Sequence, residues 1–288
     1  MHGKEIISDS STPSQTIRII DMVSEKLRAA QKAVLHFEDA RHNKNTNPFT
    51  MVTAYNKNGM PYTNGKHCVS YAADAGAVAV AVGDDSISVS RHANSVSVTT
   101  GNGGAALVDS PYSVSVGTGF GNIATAADKG YSAAVTTYNN SVSEVIGDGG
   151  ASVSLGNKSA ACANGRSMIA AASGDDSRSA VRGRSSVSVS TGKDGVSAAK
   201  GAGSISVVTG TNGVAFAEKD SAAVSFGDGC GAKGSVGSWL ILAEMGDSGK
   251  GESGIKGIKA VLVDGNEILP DTVYTLRDGN ISAVTESE

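Results

Sequence analysis

From about Gly59 to Gly237 the chain alternates small polar and apolar positions in blocks of about five, each followed by about four turn-forming residues. Ser95-Val96-Ser97-Val98-Thr99 followed by Thr100-Gly101-Asn102-Gly103 is one such unit, and Ser113–Val116, Ser186–Val189 and Ser204–Val207 repeat it closely. Alternation with a period of two marks a strand with two unlike faces, and glycine and asparagine supply the turns. A strand this short cannot cover its own apolar side, but stacked neighbours can, which predicts a solenoid. Adjacent units are not equivalent. Ser186–Gly192 is followed by Gly195–Ala199, and the same pairing recurs at Ser204–Gly210 and Gly213–Ala217. The full period is therefore about eighteen residues, two strands per coil. The predicted fold is mainly all-β, a parallel β-solenoid of about ten coils in two facing sheets, roughly 48 Å long at roughly 4.8 Å per layer.

Taking the aliphatic positions as the inner ones, one sheet directs Val96, Val98, Val114, Val116, Val187, Val189, Ile205 and Val207 into the core. The other contributes Ala105, Leu107, Ile123, Ala160, Cys162, Val196, Val214 and Phe216. Most are small, so the predicted core is thin. The outer faces would then carry a hydroxyl ladder (Ser95, Ser97, Thr99, Ser113, Ser115, Ser186, Ser188, Ser204, Ser206) and an alanine face (Ala106, Ala124, Ala126, Ala161, Ala163, Ala199, Ala215, Ala217). A flat alanine face either invites close packing by a helix or another copy, or relieves crowding in a stacked sheet. Arg178 and Glu144 fall at inner positions on this assignment, which requires a bulge at Arg178 and leaves Glu144 without an account.

Both ends depart from the repeat. Residues 1–11 read as a disordered lead-in, and 12–49 as an amphipathic helix and linker. Thr12-Pro13-Ser14-Gln15 is a helix start with a capping residue and a first-turn proline. Ile20, Val23, Leu27, Ala30, Val34 and Phe37 follow at the spacing of a coiled-coil seam. That helix either joins copies as a dimer or trimer, or docks on the solenoid's own end or side. The repeat occupies 50–237, and 238–288 reads as a small antiparallel β cap with Trp239 plugging the last coil. Asp264-Gly265 and Asp278-Gly279 are read as hairpin turns, the first leading into Glu267–Leu269.

Composition narrows the function classes. A formal net charge of −4 argues against a nucleic-acid partner held by overall charge. No apolar run is long enough for a membrane span, and the N-terminus lacks the pattern of a secretory signal. Cys68, Cys162 and Cys230 have no disulfide-like spacing and read as reduced, mostly buried thiols of a cytoplasmic product, with Cys162 inward. His36 and His42 are six apart, off metal spacing, and Asp84, Asp148, Asp175, Asp194 and Asp228 lie in turns without the glycine pattern of calcium-binding nonapeptides. No metal and no cofactor is expected. The glycine runs open no helix, so phosphate-loop chemistry is missing, and no catalytic constellation stands out. Arg166, Arg178, Arg182 and Arg184, with Lys193 and Lys200, form the one local basic cluster. It can take an anionic ligand or be ordinary solvated charge.

The Ser-Val-Ser-Val and Ser-Ala-Ala-Val units resemble the head repeats of trimeric autotransporter adhesins, which implies a stacked β-roll and self-association. The ending Gly237-Ser238-Trp239, Ile258-Lys259-Ala260-Val261, Val263-Asp264-Gly265 and Pro270–Gly279 resembles a cap that follows such repeats in uncharacterised proteins of phages, prophages and gut bacteria. That resemblance implies an architecture and a mobile-element setting, but no activity. The expectation is a non-enzymatic, self-associating scaffold that binds a host or virion protein. The alternative is a ligand-binding or inhibitor module at Arg166, Arg178, Arg182, Arg184 and Lys200. Ice binding by a hydroxyl ladder ranks behind both.

Overall fold

The computed structural model describes residues 51–54, 60–127, 130–247 and 253–284. Within them the chain is a parallel β-solenoid of about ten coils. Successive strands go alternately into two sheets, a 13-stranded sheet I and a 12-stranded sheet II. Sheet I holds Ile87–Ser90, Ala160–Asn164, Arg178–Arg182 and Val196–Lys200, and sheet II holds Val96–Thr100, Ile169–Ser173, Val187–Lys193 and Ile205–Thr211. The coil length is eighteen residues, as in Val78 opposite Val96 and Arg178 opposite Val196. One coil is longer, with Val114 opposite Ala133, and two successive ones are shorter, with Ile205 opposite Ala222 and Ala222 opposite Trp239. The N-terminal heptad positions Ile20, Val23, Leu27, Ala30, Val34 and Phe37 lie outside the described residues.

The inner and outer faces are the reverse of the expected ones. Ser97, Ser115, Ser188 and Ser206 are buried, and so are Ala106, Ala124, Ala161, Ala199, Ala215 and Ala217. Of the residues expected inside, Val96, Val98, Val114 and Val116 are buried, but Val187, Val189 and Val207 are only half-buried, and Ile123, Val196 and Ile205 are exposed. Alternation tells which residues share a face; it does not tell which face is inside, and a shift of one residue exchanges the two. The hydroxyls decide the matter by pairing across the core. Ser88 Oγ lies 2.6 Å from Ser97 Oγ, Ser143 Oγ 2.8 Å from Ser152 Oγ, and Ser197 Oγ and Ser188 Oγ donate at 2.8 Å to Ser188 Oγ and Ser179 Oγ. Two serine side chains joined by one hydrogen bond span less than the roughly 10 Å between ordinary stacked sheets. Alanine and serine fill most of so thin a layer, with valine only at places such as Val145, Val181 and Val208. The paired hydroxyls satisfy each other there, while among the described residues Ser206 Oγ and Ser225 Oγ are buried without a partner. The thin core is as expected, with different occupants. Arg178 and Glu144 now stand outside, and Arg178 keeps its register without a bulge.

A second serine ladder holds the corners. The Ser141 amide donates to Ser159 Oγ at 3.3 Å, and the Ser159 amide to Ser177 Oγ at 3.5 Å. Ser159 Oγ and Ser177 Oγ donate back to the carbonyls of Tyr138 and Gly156 at 3.1 and 2.9 Å. Each corner hydroxyl thus satisfies two backbone groups of the preceding coil and locks the stacking. Cys230 holds the same corner position, its Sγ accepting from the Gly213 amide at 3.3 Å. Gly165, at φ +150, shows why the turns need glycine: a Cβ there would collide with the Gly147 carbonyl one coil back.

The C-terminal strands continue both sheets. Trp239–Asp247 adds parallel to Ala222–Asp228 in sheet II, and Ser253–Leu262 pairs antiparallel with it. Tyr274–Arg277 adds antiparallel to Gly231–Gly234 in sheet I and turns at Asp278-Gly279 into Asn280–Ala283. The predicted hairpin at Asp264-Gly265 is instead a compact turn without a following strand. There Asp264 Oδ1 accepts the amides of Asn266, Glu267 and Ile268 at 2.9, 3.0 and 3.0 Å. Trp239 does not plug the last coil; it stands on the outer face, 49% exposed. Leu240, Leu242, Val263, Tyr274 and Leu276 fill the core end instead. Larger side chains fit here because the antiparallel additions replace the close serine–alanine contact.

Candidate functional site

Stacking in register turns each position of a strand into a column. On the outside of sheet I the middle column runs Glu144, Cys162, Ala180, Ala198, Phe216. The next outward column runs Ile146, Asn164, Arg182, Lys200. The small residues at Cys162, Ala180 and Ala198 leave a trough of about 270 Å³, lined also by Glu144, Asn164, Arg182 and Lys200. Arg178 lies across the trough from Arg182, on the same strand and the same face.

The basic cluster is therefore divided. Arg178, Arg182 and Lys200 share the outer face of sheet I. Arg166 and Arg184 occupy the turns at one edge, where Arg166 Nη2 pairs with Asp148 at 3.0 Å. Lys193 lies at the opposite edge, 3.9 Å from Asp194. Lys200 Nζ is 3.2 Å from Glu218 and 6.0 Å from the Phe216 ring centre. Among the described residues, Arg178, Arg182, Arg184 and Glu144 enter no ion pair. Arg182 and Lys200 are direct register partners, and like charges so placed repel.

Cys162 faces outward as the trough floor, not inward as expected, because it shares the phase of Glu144 and Ala180. Burial pushes its thiol above the usual cysteine range, and the Glu144 carboxylate pushes it further. Reading the alternation with the opposite phase put Glu144, Cys162 and Phe216 on one face but turned that face inward, which hid them as a surface. The signal was there: Glu144, Cys162, Ala180, Ala198 and Phe216 are spaced at one coil each.

The outer face of sheet II is chemically different. Its columns run Ala151, Ile169, Val187, Ile205, Ala222, Trp239, then Val153, Ala171, Val189, Val207, Val224, Ile241, then Leu155, Ser173, Thr191, Thr209, Phe226. None of these residues is charged. Toward the start of the solenoid, Val80, Val96, Val98, Val114 and Val116 form a buried cluster with Ala133. Farther along the face opens, with Leu155, Ile205 and Trp239 exposed and a hollow of about 410 Å³ beside Trp239, floored by Ala222.

The turn aspartates are backbone ligands. Asp84 Oδ1 accepts the Asn102 amide at 2.9 Å, and Asp175 Oδ1 accepts the Lys193 amide at 3.0 Å, each reaching one coil onward. Among the described residues no group of three or more His, Cys, Asp or Glu could hold a metal ion, and no helix is long and apolar enough to cross a membrane. Comparison with family models, curated proteins and solved structures found no match for this chain.

Proposed function

We propose that the protein is a non-catalytic, rigid scaffold that assembles with further copies through the outer face of sheet II. The observation that carries this reading is the aliphatic and hydroxyl face of sheet II, whose three central columns hold no charge and expose Leu155, Ile205 and Trp239, with Lys193 and Asp228 at its margin. Seven strands at roughly 4.8 Å and five residues at roughly 3.3 Å make about 550 Å² per copy, or about 1,100 Å² for a pair. That clears the roughly 1,000 Å² of a specific interface. The three central columns carry no charge, so a copy related by two-fold rotation meets uncharged surface like its own, with Lys193 and Asp228 at the margin. Exposed Trp239 beside its hollow is the natural anchor. The expected alanine face cannot serve, because those alanines are inside. A host or virion protein is the further partner that the C-terminal resemblance suggests for the assembled rod. The test is the mass of the full chain in solution over a range of concentrations. A mass of two or more chains supports assembly, and a single-chain mass throughout removes it.

A second reading, a ligand-binding module on sheet I, is favoured by the trough between Glu144 and Lys200 with the unpaired guanidinium of Arg182 on its wall.

A further inference from the structure

Resting on that second reading, we propose that the sheet I trough binds a short zwitterionic peptide with small side chains. In this arrangement its amino terminus lies at Glu144, its central amide at Asn164, and its carboxylate at Arg182 and Lys200. The trough is polar in the electrical sense. One end carries the Glu144 carboxylate, and the wall two coils on carries Arg182 and Lys200 side by side. Glu144 and Arg182 do not neutralise each other.

Geometry explains why they stay apart. They are two strands apart across the sheet, roughly 9.6 Å, and two residues apart along it, roughly 6.6 Å, so their backbones are separated by about 12 Å. Side chains that stand roughly perpendicular to the sheet keep their charged ends at about that spacing, beyond the roughly 4 Å of a direct pair. An extended tripeptide spans about 10–11 Å between its ends, which matches the gap.

The intervening groups suit a peptide backbone. Asn164 stands on the wall between the two charges, exposed, with an amide that can both donate and accept. The floor of Cys162, Ala180 and Ala198 lets a backbone lie close and leaves no depth for a large side chain. The raised thiol of Cys162 stays protonated near neutrality, so the floor adds no second negative charge beside Glu144. Lys200 has Glu218 as its neighbour, which leaves the Arg182 guanidinium as the cation with donors to spare for a carboxylate.

The probe is trialanine, titrated calorimetrically into the full chain. N-acetyl-trialanine and trialanine amide serve as single-charge controls. We expect saturable binding of trialanine, weakened roughly tenfold or more by either blocking group. Arg182→Gln and Glu144→Gln should each weaken it by a similar factor, while Lys193→Gln at the opposite edge leaves it unchanged. Both main substitutions lie on the outer face, and circular dichroism checks that they fold; should one misfold, the blocked peptides still test the claim. If N-acetyl-trialanine binds as well as trialanine and Arg182→Gln abolishes both, the trough is a plain anion site and the zwitterion assignment is overturned. If none of the peptides binds at millimolar concentration, the ligand reading of the trough falls with it.

Discussion

The two outer faces share one interior and differ in what they put outside it. Sheet II presents Val187, Val189, Ile205, Val207 and Trp239 with threonines beside them and charge only at the margin, at Lys193 and Asp228. Sheet I presents Arg178, Arg182, Lys200 and Glu144 around a floor of small residues. The interior under both is the same stack, mainly of serines and alanines with a few valines. A solenoid of this kind separates folding from function: the inward columns specify the coil, and the outward columns are free to vary by sheet. The sheet II face suits a large, flat, apolar partner, and the sheet I face suits a small charged one.

The largest effect should come from breaking the shared interior. Ala170, fully buried between the sheets, changed to arginine would bury an unpaired charge. The expected result is loss of the cooperative β-rich fold, a cost above about 4 kcal/mol. Val187→Arg on the outside of sheet II should keep the fold and shift stability by less than about 1 kcal/mol. Equal losses in thermal melts would mean that the faces are wrongly assigned.

A smaller effect sharpens the contrast between core and sheet I. Native-state alkylation should modify Cys162 and spare Cys68 and Cys230, which are buried at corners. Because burial and Glu144 raise the Cys162 thiol, its alkylation near pH 8 should still be slower than that of a free cysteine. Mass spectrometry of modified peptides checks both points; prior modification of Cys230 in the folded protein would contradict the corner placement.

The smallest effect lies in the turns. The amide and side chain of Arg166 hold Asp148 below the usual carboxylate range, and the amides of Asn266, Ile268 and Glu267 do the same for Asp264. A lowered folded value means that the contribution is present above the unfolded value of about 3.9 and is lost as pH falls through the folded one. Stability should therefore be level near neutrality and decline only below about pH 4. Asp264→Asn should flatten a little of that decline, read from denaturant midpoints against pH.

Much of the fold was legible in the chain. The repeat spacing of about eighteen residues and the turn glycines follow from local chemistry that repeats, and repetition makes weak signals add. The phase of the alternation was not legible in the same way, because hydrophobicity alone favours valine inside. What overrides it is volume and pairing: Ser88 and Ser97 hydrogen-bond across a thin core that is filled mainly by serine and alanine, with valine at a few inward positions such as Val145 and Val181. Arg178 and Glu144 were the clue in the sequence, since the valine-in phase forces both charges inside without partners. The trough was hidden by the same phase error. Arg182 and Lys200 were recognisable as basic, but Glu144, Cys162 and Asn164 join them only once every outward residue is known. At the C-terminus, Asp264-Gly265 has the dipeptide of a hairpin, yet the Asp264 carboxylate gathers three amides and closes a different turn.

The measurement that bears most directly on the account is the solution mass, by light scattering, of two matched variants. One carries Val187→Arg and Val207→Arg on sheet II, and the other carries Val196→Arg and Ala198→Arg on sheet I. The account predicts that the full chain and the sheet I variant share a mass of two or more chains, while the sheet II variant falls to a single chain with its fold intact. An unchanged mass in the sheet II variant, or a fall only in the sheet I variant, would contradict it.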